Sequence, residues 1–199
     1  MSKYPSTLNT LIALFKKIPG VGFKTAERYA FHLLQWNENQ LQEFSRITSL
    51  LKIKIQPCAE CGCLTEDEEC SFCNPSCRDP HTICIISSAK DVYPIEETHV
   101  YKGMYHVIGG LLSPLDGKTP QDLQVEKIKL RIEKHGTKDI ILALDSTLEG
   151  DATALFLREQ MQHWGVTISR PAMGMPMGSS LDFVDGGTLA KALLGRQTF

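Results

Sequence analysis

The sequence predicts an α/β protein built on a parallel sheet, with a helical arm before it and a metal clip at the junction. Three observations carry this. After residue 80, short β-branched apolar runs alternate with amphipathic helical stretches, the pattern of a parallel sheet with helices packed on it. Before residue 57 the apolar residues recur at helical spacing only. Between the two lies Cys58–Cys73, where two Cys-x-x-Cys pairs stand eight residues apart.

The arm comes first. Leu8, Leu11, Ile12 and Phe15 mark a first helix that stops at Pro19-Gly20, and Ala26, Tyr29, Ala30 and Leu33 mark the face of a second. Ile18-Pro-Gly-Val-Gly-Phe-Lys-Thr-Ala26 joins them and resembles the helix-hairpin-helix motif of non-specific DNA-binding proteins. Gly20 and Gly22 let the backbone bend tightly and, with Val21 between them, approach a ligand closely. Free N–H groups at the start of the second helix then face a phosphate. Lys24 and Arg28, four apart on one helix face, add positive charge beside it. Such contacts read the backbone of DNA and not its bases. A plain tight turn between two packed helices is the alternative. A third helix is expected from Glu38 to Ile55, with Asn37 and Gln40 at capping-box spacing. Its apolar face, Leu41, Phe44, Ile47 and Leu51, reads as core.

The clip follows. Thiolates in short pairs suit a tetrahedral zinc ion, and Cys58, Cys61, Cys70 and Cys73 are the expected ligands. The chain must turn sharply after the second cysteine of each pair. Gly62 tolerates the positive φ of such a turn, and Asn74 is among the few other residues that visit that region. Four thiolates leave no open position, so the metal is structural. Cys63 and Cys77 fit the paired spacing less well, and Cys84 lies in an apolar run and reads as core.

Four strands are then expected, around 81–86, 104–108, 138–144 and 166–169. Helices lie between some of them: Val125, Ile128 and Ile132 share a side in 121–135, and Ala154, Leu157, Met161 and Trp164 in 151–164. Ligands of such sheets gather at the carboxyl ends of the strands, here Ser87-Ser88, Gly109-Gly110 and Asp145–Gly150. Met173, Met175 and Met177 alternate with Gly174 and Pro176 and read as loop. His106 and His135 read as a strand position and a helix end.

Composition narrows the class. The 199 residues are 42% hydrophobic, ordinary for a globular protein, and no apolar run approaches membrane-spanning length. The first residues lack the charged-then-apolar order of a signal peptide. Seven cysteines without that order suggest a reducing, cytoplasmic setting. The net charge of −2 divides unevenly: residues 1–57 hold eight Lys or Arg against three Glu, +5, and residues 58–199 hold thirteen against twenty acids, −7. A basic arm on an acidic body suggests an anionic partner at the N-terminal end.

The order of these parts, together with Tyr105-His-Val-Ile-Gly-Gly-Leu-Leu-Ser-Pro-Leu-Asp-Gly117, Ser146-Thr-Leu-Glu-Gly-Asp-Ala-Thr153, Ala172–Gly178, Leu181–Asp185 and Thr188–Leu193, resembles the RecR family of bacterial recombination mediators over essentially the whole chain. The resemblance implies four parts: a helix-hairpin-helix DNA-binding arm (1–56), a four-cysteine zinc finger (57–79), a Toprim domain with helices on both faces of its sheet (80–175), and a short C-terminal helical segment that contributes to oligomer contact (176–199). It implies a non-enzymatic clamp in recombinational DNA repair. The clamp forms dimers and ring-shaped tetramers and acts with RecO and, in many bacteria, RecF to load RecA on single strands. Lys24 and Arg28 fall on the family's DNA contacts, and the four cysteines on its zinc ligands. Asp91, Glu96 and Glu149 match acidic positions associated with partner binding.

One departure stands out. Where the family usually ends the first Toprim strand with Glu, this chain has Ser87, and the later Asp-x-Asp pair is reduced to Asp145-Ser-Thr147. Magnesium-dependent phosphoryl transfer needs those carboxylates. The competing reading, a metal-dependent Toprim enzyme acting on DNA phosphodiesters, rests on Asp145, Glu149 and Asp151, which helix capping also explains. A third reading is a protein-interaction module without DNA contact.

Overall fold

The computed structural model describes residues 3–66, 68–172 and 174–196. Asp67, in the acidic loop of the clip, and Met173 lie outside the described residues. The chain forms two compact units, 1–55 and 56–199.

The first unit holds α1 (Ser6–Phe15), α2 (Phe23–Leu33) and α3 (Glu38–Lys54). Leu8 and Ile12 of α1 bury against Ala26 and Ala30 of α2, and Tyr4, Leu11, Phe15 and Val21 close the edges. Two alanines one turn apart let the helices approach closely. The capping box of α3 is present: Gln40 N–H donates to Asn37 Oδ1, and Asn37 N–H to Gln40 Oε1, both at 3.0 Å. Its apolar face departs from expectation. No residue of α3 is buried, and Leu41, Phe44, Ile47 and Leu51 are 38–47% exposed. The periodicity that marks a helix face says that it is apolar; it does not say what covers it. The small α1–α2 core has no further layer to lay on it.

The second unit opens with a two-stranded hairpin, β1 (Gln56–Pro57) and β2 (Leu64–Thr65), that frames the first cysteine pair. Four parallel strands follow: β3 (Asp79–Ile86), β4 (Gly103–Val107), β5 (Asp139–Ala143) and β6 (Thr167–Ser169), in the order β4-β3-β5-β6. Between them run α4 (Val92–Glu97), α5 (Val125–His135) and α6 (Leu148–Met161), and α7 (Gly186–Leu194) follows the last strand. β3 is central, and Ile83, Cys84, Ile85 and Ile86 are all buried, as a strand covered on both faces requires. Successive side chains of β4 separate the faces. Tyr105 reaches α4, its hydroxyl donating to Glu96 at 2.6 Å. His106 lies toward α5, against Arg131. Helices therefore cover both faces, and right-handed crossovers place α6 with α5.

Two helix starts differ from those expected. Thr119 and Asp122 cap a separate 3₁₀ turn at Pro120–Leu123, and Gln124, at φ +48°, breaks it from α5. The next helix begins earlier, at Leu148, because Thr147 accepts the Gly150 N–H at 3.1 Å. Local polar caps set these ends, and apolar spacing does not see them.

Gly150 also sits where α6 meets the end of β5. A Cβ there would collide with the Asp145 carbonyl, whereas at Gly186 it would meet open space. Gly150→Ala should therefore cost about 1–3 kcal/mol through forced backbone movement, with Gly186→Ala near neutral. Urea denaturation of the two variants checks this, and equal stabilities would contradict it.

Candidate metal centre and nucleic-acid interface

The four expected ligands come together. Cys58 and Cys61 sit on the hairpin turn, where Gly62 N–H donates to Cys58 O at 2.8 Å and Cys58 N–H to Cys63 O at 2.7 Å. Gly62 takes φ +77°, as the turn demands. A side chain there would also press within 3.0 Å of Val107 Cβ. The second turn is built differently. Asn74 N–H donates to Cys70 O at 3.1 Å, but Asn74 is not among the positive-φ residues. Its side chain makes the turn instead, accepting from Ser76 N–H at 2.9 Å and donating to Glu69 at 3.0 Å.

The sulfurs of Cys58, Cys61, Cys70 and Cys73 all lie within 4.8 Å of one another. Cys58–Cys73 are 3.7 Å apart and Cys61–Cys70 3.6 Å. A tetrahedral ion with metal–sulfur bonds near 2.3 Å has sulfur–sulfur edges of about 3.8 Å. The separations fit a shared metal and exceed a disulfide bond. Cys63 and Cys84 are buried outside the cluster, and Cys77 is exposed.

Glu60, between the first two cysteines, ties the clip to α5. It accepts from Lys134 Nζ and His135 Nε2, each at 2.8 Å, and lies 3.5 Å from Arg131 Nε. Burial disfavours its charge, but these donors outweigh that and hold the carboxyl at about 2. Arg131 is itself buried and donates through Nη1 to Tyr105 O at 2.7 Å. The same Nη1 lies 3.0 Å from His106 Nδ1. Sequence reading placed His106 and His135 on their elements but missed this network. Its members are 60, 105, 106, 131, 134 and 135, and only folding brings them together. On the other face Arg78 makes a bidentate pair with Glu96 at 2.6 and 2.8 Å.

In the first unit, Gly20 takes φ +79° and Gly22 forms the N-cap of α2 without any side-chain cap. A Cβ on either glycine would meet nothing within 4 Å, so the turn is open to a ligand. Lys24 and Arg28 are exposed on α2 and form no salt bridge among the described residues. The basic turn and an uncapped helix start thus share one surface.

The carboxyl ends of the strands line a cleft of about 630 Å³ that includes Ser87, Gly110, Asp145 and Glu149. Asp151, the third acid considered for a cation, pairs instead with Arg170 at 2.7 Å and Lys191 at 3.7 Å. Among the described residues, the four cysteines are the one cluster with metal-holding geometry. Of the acids matched to partner contact, Glu149 is exposed. Asp91 is committed to Ser87 Oγ (2.8 Å) and Ser88 N–H (2.7 Å), and Glu96 to Arg78 and Tyr105.

The buried ring of His106 gives a pH prediction. Burial, then the charges of Arg131 and Lys127, push its pKa down to about 3, with Glu60 opposing. In the unfolded chain it titrates near 6.5. The folded value is the lower one, so the unfolded state takes up the proton first. The stability that neutral His106 provides is present above pH 6.5 and is lost as pH falls toward 3. At about pH 5 the loss is roughly 2 kcal/mol. Urea denaturation at about pH 7.5 and 5 should show that extra loss in the wild type and not in His106→Gln.

Comparison with known proteins agrees with this architecture. Residues 8–49 match the family described as "RecR, helix-hairpin-helix", 81–172 the "Toprim domain", and 174–197 "RecR, C-terminal". The chain is 52% identical over 197 residues to "Recombination protein RecR" of Protochlamydia amoebophila (strain UWE25), covering 99% of this chain and 100% of that protein. It is 47% identical over 201 residues to the protein of the same name from Chlamydia felis (strain Fe/C-56), with 100% of both chains covered. Matches of this identity across the full length, on a helical hairpin, a four-cysteine clip and a Toprim sheet, establish that the chain belongs to the RecR family.

Proposed function

We propose that this chain is a non-enzymatic DNA clamp and adaptor of cytoplasmic recombinational repair, acting with RecO, and in some settings RecF, to load RecA on single-stranded DNA. The observation that carries the reading is the open α2 N-terminus with Lys24 and Arg28 beside it. Gly20, Val21 and Gly22 bring the backbone to a phosphate, the uncapped N–H groups receive it, and the two cations hold the neighbouring charge. The contact is independent of base sequence.

The cysteine centre takes zinc in this reading. All-thiolate, four-coordinate sites suit that ion, and with four protein ligands it has no place for substrate. Its role is to brace the clip against β4. The cleft at the strand ends supports the non-enzymatic side. Ser87 stands where a Toprim enzyme needs an acid, and Asp151 is held by Arg170. Glu149, at the rim of this cleft, is the most accessible of the three proposed RecO contacts, with Asp91 and Glu96 shaping the surface behind it.

Two exposed apolar surfaces support a homo-oligomer, from dimer to ring-shaped tetramer. One is the α3 face of Leu41, Phe44, Ile47 and Leu51. The other is the C-terminal segment, where Phe183 is 90% and Leu194 84% exposed. Apolar side chains grouped in this way favour burial against another chain.

Lys24→Ala with Arg28→Ala should weaken binding to all DNA sequences alike. It should also make the dependence of log K on log[salt] shallower by about two, one unit per lost phosphate contact. Fluorescence anisotropy on gapped duplexes of unrelated sequence checks both, with magnesium present and the DNA then run on a denaturing gel. A loss confined to one sequence contradicts the backbone contact, and incision that tracks with Asp145 and Glu149 favours the enzyme. Zinc removal, or Cys58→Ser, should lower the melting temperature and loosen the clip. An unchanged melting curve after verified metal loss would rule out the structural role.

A further inference from the structure

A second cavity, of about 590 Å³, lies between the clip and the sheet in the second unit. Its wall includes Gly62, His106, Gly109, Lys118 and Lys127. Four observations give it a chemistry.

The first is the buried imidazole. Arg131 Nη1 lies 3.0 Å from His106 Nδ1. A guanidinium only donates, so Nδ1 accepts and the ring carries its proton on Nε2. That Nε2–H makes no hydrogen bond among the described residues, although the residue is 4% exposed. The second is the backbone after β4. Gly109, on the cavity wall, takes φ +75°, and its N–H has no acceptor among the described residues. A backbone N–H left without an acceptor at a turn is a ready donor to an anion. The third is the pair of lysines. The Lys118 side chain runs along this loop, its Cε 3.5 Å from the position of a Cβ on Gly110. Lys127 stands in the first turn of α5, near enough to the imidazole to act on its charge. Neither has an ion-pair partner among the described residues. The fourth is the charge balance of the border. Glu60 is committed to Arg131, Lys134 and His135. Asp122 accepts from the Thr119 N–H at 2.7 Å and its hydroxyl at 2.9 Å. With Glu60 paired, Lys118 and Lys127 stand against Asp122 alone, so the balance on the wall is positive.

We propose that this cavity binds a phosphate group, held by the His106 N–H, the Gly109 N–H and the ammonium groups of Lys118 and Lys127. A tetrahedral oxyanion accepts from donors on several sides at once, which a planar carboxylate does less well. The phosphate belongs either to a nucleic-acid strand or to a small phosphate ester. A strand bound here would be held at a place distinct from the α2 turn.

The test uses the zinc-loaded full chain with Lys24→Ala and Arg28→Ala, which silences the hairpin and keeps the two readings separable. Equilibrium dialysis with labelled inorganic phosphate, at ionic strength fixed with chloride, should show saturable uptake of one phosphate per chain. Adding Lys118→Ala and Lys127→Ala, both exposed positions, should weaken uptake by about tenfold or more without moving the melting temperature. Displacement by oligothymidylate would assign the site to a strand, and displacement by a nucleoside monophosphate alone to a small ester. No saturable uptake, or uptake unchanged by the lysine substitutions, would overturn the proposal.

Discussion

The open edge of β4 is the constraint on which the second unit turns. A parallel sheet ends in a strand whose outward N–H groups need acceptors, and a bare edge invites pairing with another chain. Here the clip supplies them. Phe72 O accepts the Tyr105 N–H at 3.0 Å, and Cys61 O accepts the Val107 N–H at 2.8 Å. The two acceptors come from the two halves of the cysteine cluster, so they keep their spacing only while the four sulfurs stay together. The opposite edge, β6, is three residues long and presents little to pair with.

Around that edge the charged residues divide by face. Tyr105 turns to α4 and meets Glu96 and Arg78; His106 turns to α5 and meets Arg131. Arg78 with Glu96 and Arg131 with Glu60 each pair opposite charges, the condition under which such groups persist inside a protein. Glu60 carries the heaviest load, because it joins the clip to α5 from between two of the clustered cysteines. Cysteine cluster and sheet thus form one mechanical piece. The same packing leaves a few donors unspent near Gly109, and those give the cavity there its character.

Much of this was legible in the chain. The four ligands declare themselves by spacing, and the order of strands and helices by alternation. Gly62 takes the positive φ its turn requires, while Asn74 reaches the same end through its side chain. The apolar stripe of α3 was legible as a stripe, but not as an exposed one. Burial depends on what lies opposite, and the first unit offers only the Leu8–Ile12–Ala26–Ala30 core. The acids at 91, 96, 149 and 151 looked alike in sequence. Folding commits three of them to capping or ion pairs and leaves Glu149 open.

The sequence by itself determined the four-cysteine cluster, the hairpin glycines with their two cations, the parallel α/β class and the family. These depend on short-range spacing or on strings of residues that act through neighbours in the chain. Only the tertiary structure decided which carboxylates are spent, that the clip completes the edge of β4, and that His106, Gly109, Lys118 and Lys127 border one cavity. Those outcomes rest on contacts between residues up to 75 positions apart, such as Glu60 with His135. No local pattern encodes such a meeting, because it exists only once the strands have taken their order.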